Sequence, residues 1–315
     1  MKYEIQFTGD LNRIAKHGSS EMILSNITQF ESTKKELAGY AIKYVFSGTE
    51  RYIAGGKHFQ VSDGQYLLLN KKQIYECNFQ SEKQVNGFCI TLDEQMLSGV
   101  YNVLSRPEGM LLDNAMEQFS PFPGLHELVY TRGNALGSFI HRLYGQILAG
   151  AGPVTSGEIF YQISVALLKE QVEVAGKMSK IKAIKGSTKK ELYARLEIAR
   201  ELLEECNGTT LKIDTVAREA ALSEYHFFRS FKMVYGISPH QFYLRKKIQR
   251  AAALIAKGEH SLTEIAYLTG FPDIQSFSRA FRRHMFMSPS NWNLINLDRF
   301  PVQEKGADPK IKPAL

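Results

Sequence analysis

The sequence predicts an α+β protein in two parts, a strand-rich N-terminal half and an all-α C-terminal half. Three observations carry this. Short runs of Tyr, Phe, Val and Ile punctuated by glycine fill much of the chain between residues 40 and 91. Apolar residues at helical spacing take over from Leu136 onward. A helical segment around Phe227 recurs 50 residues later around Phe277. Charge divides along the same line. Residues 1–177 hold 16 Lys and Arg against 18 Asp and Glu, and residues 178–315 hold 23 against 14. A basic domain suits a nucleic-acid partner, because phosphate neutralisation dominates such binding. A solubilising surface is the plain alternative.

The length of 315 residues suits two domains with real cores. Mean hydropathy is −0.23, and the longest apolar runs, such as Tyr66–Leu69 and Ala251–Ala256, are far short of a bilayer span. No membrane association is expected. The start, MKYEIQFTGD, has no apolar export core. Three cysteines, Cys77, Cys89 and Cys206, form no CxxC and cannot all pair. A disulfide scaffold is excluded, and the cytoplasm is the expected compartment.

In order along the chain, Tyr40–Phe46, Arg51–Ala54, His58–Val61, Gln65–Leu69 and Val85–Thr91 read as strands. Ser47-Gly48, Gly55-Gly56, Ser62-Asp63-Gly64 and Asn86-Gly87 read as punctuation, with Gly55-Gly56 a tight hairpin turn. This spacing predicts a sandwich or small barrel. Leu136, Phe139, Ile140, Leu143, Tyr144, Ile147 and Leu148 form one apolar helix stripe, and a second helix is expected from about Glu158 to about Val174. The stripes either pack on the sheet or form a dimer seam. Residues 1–175 are therefore taken as the first domain. Residues 176–188, with Lys177, Lys180, Lys182 and Lys185, lack an apolar period and read as a linker. The second domain runs over 189–298. The polar stretch 299–315, with Pro301, Pro309 and Pro313, reads as a flexible tail.

The repeat sets Phe227-Phe228-Arg229-Ser230-Phe231-Lys232 against Phe277-Ser278-Arg279-Ala280-Phe281-Arg282. At the same offset Ser238-Pro239 falls on Ser288-Pro289 and Phe242 on Trp292. Upstream the offset is 49, placing Val216-Ala217 on Ile265-Ala266 and Leu222 on Phe271. Each copy reads as helix, tight turn, helix. Ile213, Val216, Ala217 and Ala220 face inward in the first copy, and Ser223 caps the helix bearing Phe227 and Phe231. In the second, Ser261 and Glu264 make a capping box, Gly270 supplies the turn, and Phe277 and Phe281 are core. Ser238-Pro239-His240-Gln241 opens a long helix, about 27 Å at ~1.5 Å per residue, that joins the copies. That length suits placing two reading helices near the ~34 Å spacing of successive major grooves.

The segments VAREAALSEYHFFRSFKMVYGISPHQF and SLTEIAYLTGFPDIQSFSRAFRRHMFMSPSNW resemble the DNA-binding domain of the AraC/XylS transcriptional regulators. KYVFSGTE and DGQYLLLN look like the sensor and dimerisation domain of the same family. The resemblance implies an N-terminal cupin-like β-barrel with helices, and a C-terminal domain of two helix-turn-helix units joined by a long helix. Three departures stand out. Lys212 occupies a capping position usually held by Ser or Thr, Ala221 replaces a turn glycine, and Met285-Phe286-Met287 replaces an aromatic-glycine pair. Phe286 must then accept a geometry that glycine takes easily.

With Phe227 and Phe231 inward, Glu224, Tyr225, His226, Phe228, Arg229 and Lys232 are left for the outer side of the first reading helix. The resemblance implies base reading by Tyr225, Phe228 and Arg229. Arg229 either grips a guanine or pairs with Glu201, Glu204 or another carboxylate, and Phe228 either meets thymine methyls or packs internally. His226 is a phosphate neighbour or plain surface. Ile274, Gln275, Ser276 and Arg279 hold the corresponding places in the second copy, with Gln275 suited to adenine and Ile274 to a thymine methyl. Arg282, Arg283, Lys246 and Lys247 are phosphate-contact candidates or solvated surface.

The resemblance gives the first domain room for one small ligand; by strand parity Lys43, Tyr75 and Phe88 are effector-pocket candidates, or else ordinary barrel interior or surface. The effector itself, a metabolite, a peptide or a protein, is left open. His17, His58, His126 and His141 show no metal spacing, and no nucleotide-binding or hydrolase motif occurs. No cofactor, metal or catalysis is expected. The expected function is sequence-specific transcription regulation, in the activating sense, by a homodimer that meets double-stranded DNA and RNA polymerase. The alternatives are a regulator whose first domain only binds protein, or a cupin-type enzyme with a DNA-docking domain.

Overall fold

The structure, a computed structural model, describes residues 5–105, 122–150, 156–182, 185–205 and 211–292. The chain forms two compact units, Met1–Glu197 and Ile198–Leu315. The 299–315 segment and Cys206 lie outside the described residues.

The first unit is built on an eight-stranded antiparallel sheet. Its strands are β1 (Ile5–His17), β2 (Ser20–Glu36), β3 (Tyr40–Ser47), β4 (Thr49–Ala54), β5 (Lys57–Ser62), β6 (Gln65–Leu69), β7 (Ile74–Leu92) and β8 (Val129–Thr131). The main path runs β1-β2-β7-β3-β6-β8, with β4 joining β5 to the first part of β7. The expected cupin-like barrel is thus an open sheet: β1 and β8 end the path and do not pair with each other. The β4–β5 turn uses Gly55 at φ 56° and Gly56 at φ 72°, the two left-handed residues that a two-residue hairpin requires.

The strands depart from the sequence expectation. Residues 5–36 supply the long β1–β2 hairpin, which the residue pattern did not announce. Asn86-Gly87, expected as punctuation, lies inside β7. A glycine is needed there for another reason. A Cβ on Gly87 would sit 2.6 Å from both Glu50 Oε1 and Ser25 Oγ, so only a bare backbone lets those side chains cross the strand.

Both faces of β3 are buried. Ala41 and Val45 join an apolar cluster with Ile27, Tyr52, Leu67, Leu69, Tyr75 and Phe79. Tyr44 and Phe46 turn the other way. There Phe46 stacks on Tyr144 at 3.6 Å between ring centroids. Tyr144 belongs to helix α2 (Ala135–Leu148), which follows α1 (Glu94–Ser105). The apolar stripe of α2 is thereby used within the unit: Leu136, Ile140 and Leu143 are buried, and Leu148 alone among its large apolar residues is strongly exposed. Helix α3 runs over Ser156–Ser179, longer than expected at both ends. Residues 176–179, expected as linker, stay helical because Val174 and Met178 continue its buried face. The next helix, α4 (Gly186–Glu205), starts three residues before the expected boundary, and the division between units falls inside it. Its first half belongs to the sheet unit, where Tyr193 and Leu196 are buried.

The second unit continues with α5 (Ile213–Glu219), α6 (Glu224–Tyr235), α7 (Pro239–Lys257), α8 (Leu262–Leu268) and α9 (Ile274–Met285). Phe277, Phe281, Ile265, Ala266 and Phe271 pack on Ile248, Ala251, Ala252 and Ile255 of α7.

Gly87→Ala is expected to lower unfolding stability by ~1–3 kcal/mol, the cost of overpacking a filled site. Urea denaturation of the full chain checks this; no change would mean that Glu50 and Ser25 move aside freely.

Candidate nucleic-acid interface and sheet cavity

The two helix-turn-helix copies share one turn geometry. In the first, the amides of Ala220, Ala221 and Leu222 donate to the carbonyls of Val216, Arg218 and Ala217 at 3.0, 2.9 and 2.9 Å. In the second, Thr269, Gly270 and Phe271 donate to Ile265, Tyr267 and Ala266 at the same three distances. Gly270 has φ 72° and Ala221 takes φ 51° in its place, a left-handed conformation that costs a residue with a Cβ of order 1 kcal/mol. Lys212 precedes α5 without making a side-chain cap. Phe286 takes φ 60° where Gly236 of the first copy takes φ 80°, and its ring is 91% exposed.

Both reading helices are capped. Ser223 Oγ accepts from His226 N at 3.3 Å, and Asp273 Oδ1 accepts from Ser276 N at 2.6 Å. The Ser238–Gln241 and Ser261–Glu264 capping boxes are both complete. The phase of each helix follows from its aromatic pair: Phe227 and Phe231, and Phe277 and Phe281, are fully buried. The opposite side of α6 therefore presents Glu224, Tyr225, His226, Arg229 and Lys232, all exposed, with Tyr225 at 76%. Phe228 is half-buried, its ring 5.5 Å from that of His240. On α9, Gln275, Arg279, Arg282 and Arg283 are exposed. Ile274 packs partly on the second copy's core. Ser276 spends its hydroxyl on Asp273 Oδ2 at 2.9 Å, which makes it part of the cap.

Arg229, Arg279, Arg282 and Arg283 have no ion pair among the described residues. Of the carboxylates named as alternative partners for Arg229, Glu204 instead binds Arg200 and Lys246, each at 2.7 Å. Free guanidinium groups on the outer face of such a helix can each take two acceptors from one guanine edge. The two lysines of α7 differ from them. Lys246 holds Glu204. Lys247 donates to the carbonyl of Gly270, and its ammonium lies 4.2 Å from the centre of the Phe271 ring. It thus ties α7 to the turn of the second copy.

In the first unit, Lys43 and Tyr75 line a cavity of about 360 Å³. Lys43 sits between Ala41 and Val45 on one face of β3, so strand alternation carries an ammonium into an apolar interior. Its Nζ donates to Tyr75 Oη at 3.3 Å and to Cys89 Sγ at 2.9 Å. Burial opposes its charge, but Cys89 and Tyr75 outweigh that and hold its pKa above the ordinary lysine value. Glu50, 5% exposed, accepts from Tyr52 Oη. Burial raises its carboxyl above the usual range, with the Tyr52 bond and Lys43 working against the shift. Phe88 borders the cavity too, yet its ring lies 6.1 Å from Phe46 on the helix-covered face. Register explains this: Lys43 pairs with Cys89, and Tyr44 with Phe88. Cys89, Glu50, Tyr52 and Cys77 were missed in the sequence. Counting by twos from Lys43 across a known register would have found Cys89. Among the described residues, no group of histidines, cysteines and carboxylates gathers into a metal site.

These features define a double helix-turn-helix unit joined to a cavity-bearing sheet unit. A helix-turn-helix domain family matches residues 216–294. The probable transcriptional regulator LumQ of Photobacterium leiognathi is 39% identical over 85 residues, 27% of this chain and 34% of that protein. The transcriptional activator RhaS of Salmonella arizonae is 25% identical over 260 residues, 79% of this chain and 83% of that protein. A solved AraC-type regulator from Chromobacterium violaceum is 25% identical, with TM-score 0.32, over 36% of this chain and 95% of that one. The chain spans 34% of the length of LumQ and of the Escherichia coli RhaS proteins that it matches. Residues 216–294 thus form a helix-turn-helix domain similar to the one these regulators carry.

Two outcomes follow for the interface. Lys247→Met leaves the Gly270 carbonyl without this donor and is expected to cost ~1–3 kcal/mol. Lys246→Ala, which loses a half-exposed ion pair, should cost no more than about 1 kcal/mol. Urea unfolding of both variants ranks them, and equal effects would contradict the tether. The second outcome concerns acid. Bonds from Ser276 hold the Asp273 carboxyl below its ordinary value of 3.8. Its cap is complete above that value and is lost as pH falls through the lower folded value. Asp273→Asn keeps an acceptor, so it should retain helicity in acid that wild type loses; circular dichroism titrations of the two proteins test this.

Proposed function

We propose that the protein is a sequence-specific DNA-binding transcription regulator whose sheet unit responds to a small molecule. The observation that carries this reading is the repeated one. Two capped helices, fixed in phase by inward phenylalanine pairs, each present an exposed, unpaired arginine at the same place, Arg229 and Arg279. Arg229 with Tyr225, and Arg279 with Gln275, are the base-reading sets. Lys232, Arg282 and Arg283 meet phosphates. Glu224 and His226 border the first groove contact, Phe228 supports it from a half-buried position, and Ile274 and Ser276 fix the start of the second helix. The RhaS relatives are activators by name, which favours activation, with RNA polymerase as the partner at the promoter. A homodimer would present the pair of reading helices twice, as paired promoter half-sites require. No helix of the described residues is long and apolar enough to cross a membrane, which fits work at DNA in the cytoplasm.

The cavity favours a small-molecule signal over a purely protein-binding role for the first unit. Its volume of about 360 Å³ falls in the usual range of small-ligand sites, and it holds a buried cation beside apolar walls. Lys43 and Tyr75 are its polar contacts. Phe88 contributes to the wall.

The test is an electrophoretic titration on a sequence selected from random DNA. Arg229→Ala and Gln275→Ala should each relax preference at separate base pairs, losing ~1–3 kcal/mol of discrimination. Arg283→Ala should weaken all sequences alike and lower the salt slope by about 1. Uniform losses from all three variants would contradict base reading.

A further inference from the structure

The cavity of the sheet unit holds two thiols in opposite surroundings. Cys77 is buried, and burial together with the Glu50 carboxyl pushes its thiol up, away from ionisation. Cys89 is partly exposed, and the Lys43 ammonium donates to its sulfur at 2.9 Å. Lys43 itself is only 8% exposed. No carboxylate lies within ion-pairing distance of it among the described residues; its other partner is the Tyr75 hydroxyl. A buried ammonium is costly unless an anion balances it. The sulfur of Cys89 lies directly against it on the cavity wall, where the ammonium can steady charge that develops on sulfur as it reacts. Around this pair stand Ile23, Ile27, Leu37 and Phe79, walls suited to a short hydrocarbon body.

We propose that Cys89 is a covalent capture site for a small, mostly apolar α,β-unsaturated carbonyl compound, with Lys43 as the group that steadies the sulfur and supplies the proton. The proposal rests on the reading of this cavity as the effector site, and narrows the effector to an electrophile. In the step, Cys89 Sγ bonds to the β-carbon. The π pair of the carbon–carbon double bond moves to the α-carbon and carbonyl oxygen as an enolate. Lys43 Nζ passes a proton to the α-carbon and regains one from solvent, replacing the proton that the thiol gave up on ionising. The sum adds S–H across the double bond. Nothing is oxidised or reduced beyond that addition, and there is no leaving group.

The experiment uses the full chain with Cys206→Ser, so that only Cys77 and Cys89 remain. The native protein is treated with stoichiometric N-ethylmaleimide, quenched over time and read by peptide mass spectrometry. Cys89 should be alkylated at least tenfold faster than Cys77. Lys43→Met should slow Cys89 at least tenfold, and Lys43→Arg should keep most of the rate. A maleimide coupled to fluorescein, too large for the cavity, should leave Cys89 of the unmutated chain unlabelled; this reading stands even where Lys43→Met fails to fold. Equal rates at the two thiols, an unslowed and folded Lys43→Met, or ready labelling of Cys89 by the bulky reagent would each overturn the proposal. DNA titration of the singly labelled protein reads the effector role separately. A changed affinity supports it, and an unchanged affinity with selective Cys89 labelling leaves capture standing and removes the effector reading.

Discussion

The inward turn of two phenylalanine pairs governs the DNA-facing half of this molecule. Phe227 with Phe231, and Phe277 with Phe281, are i and i+4 neighbours, so each pair occupies one stripe of its helix. Burying that stripe fixes the rotation of the helix about its own axis. Once rotation is fixed, the outward set is no longer a choice: Arg229 and Arg279 must point away from the core. The caps fix where each helix begins, and the shared turn geometry fixes how it meets its partner helix. Burying one Phe side chain stabilises by roughly 1.5–3 kcal/mol, so each pair outweighs the strain that Ala221 and Phe286 carry at positive φ. The chain tolerates those two departures from glycine because the core contacts beside them are larger.

A comparable constraint acts in the sheet unit. Strand β3 is buried on both faces, so every side chain between Tyr40 and Val45 enters an interior. Lys43 has no route to solvent by rotation or by a one-residue slip of the strand, because both faces of β3 are covered. The interior adapts around the ammonium with a hydroxyl, a sulfur and open volume. That arrangement differs from an ordinary buried ion pair. No carboxylate among the described residues forms an ion pair with Lys43, and Glu50 is held nearby by Tyr52.

The helical half was largely legible in the sequence, and for a physical reason. Its signals are local: capping boxes span three residues, the Phe pairs span four, and the repeat compares one local pattern with another. Ser238–Gln241 and Ser261–Glu264 cap as the sequence states, and Lys212 fails to cap as the sequence states. The sheet half was less legible because its determinants lie far apart in the chain. The β1–β2 hairpin is stabilised by pairing with β7, far along the chain (Glu36 with Ile74, Glu21 with Thr91), and much of β1 is exposed, so its apolar pattern is thin. Asn86-Gly87 carries the usual mark of a turn, yet it runs straight through β7 because Glu50 and Ser25 need the space above Gly87. Strand parity alone points Phe88 at the pocket, whereas the register gives the place opposite Lys43 to Cys89. Lys246 and Lys247 looked like phosphate contacts by charge alone. Their partners, Glu204 and the Gly270 carbonyl, become visible only when α7 is packed.

Through one repeated geometry, a single chain offers two reading helices to DNA. Hydroxyl-radical footprinting of the full protein on a selected binding fragment tests it most directly. Two protected patches per protomer are expected on one face of the duplex, centred about one helical turn or ~10 base pairs apart, with Arg229→Ala weakening one and Arg279→Ala the other. A single patch, or two patches that fade together with either substitution, would contradict it.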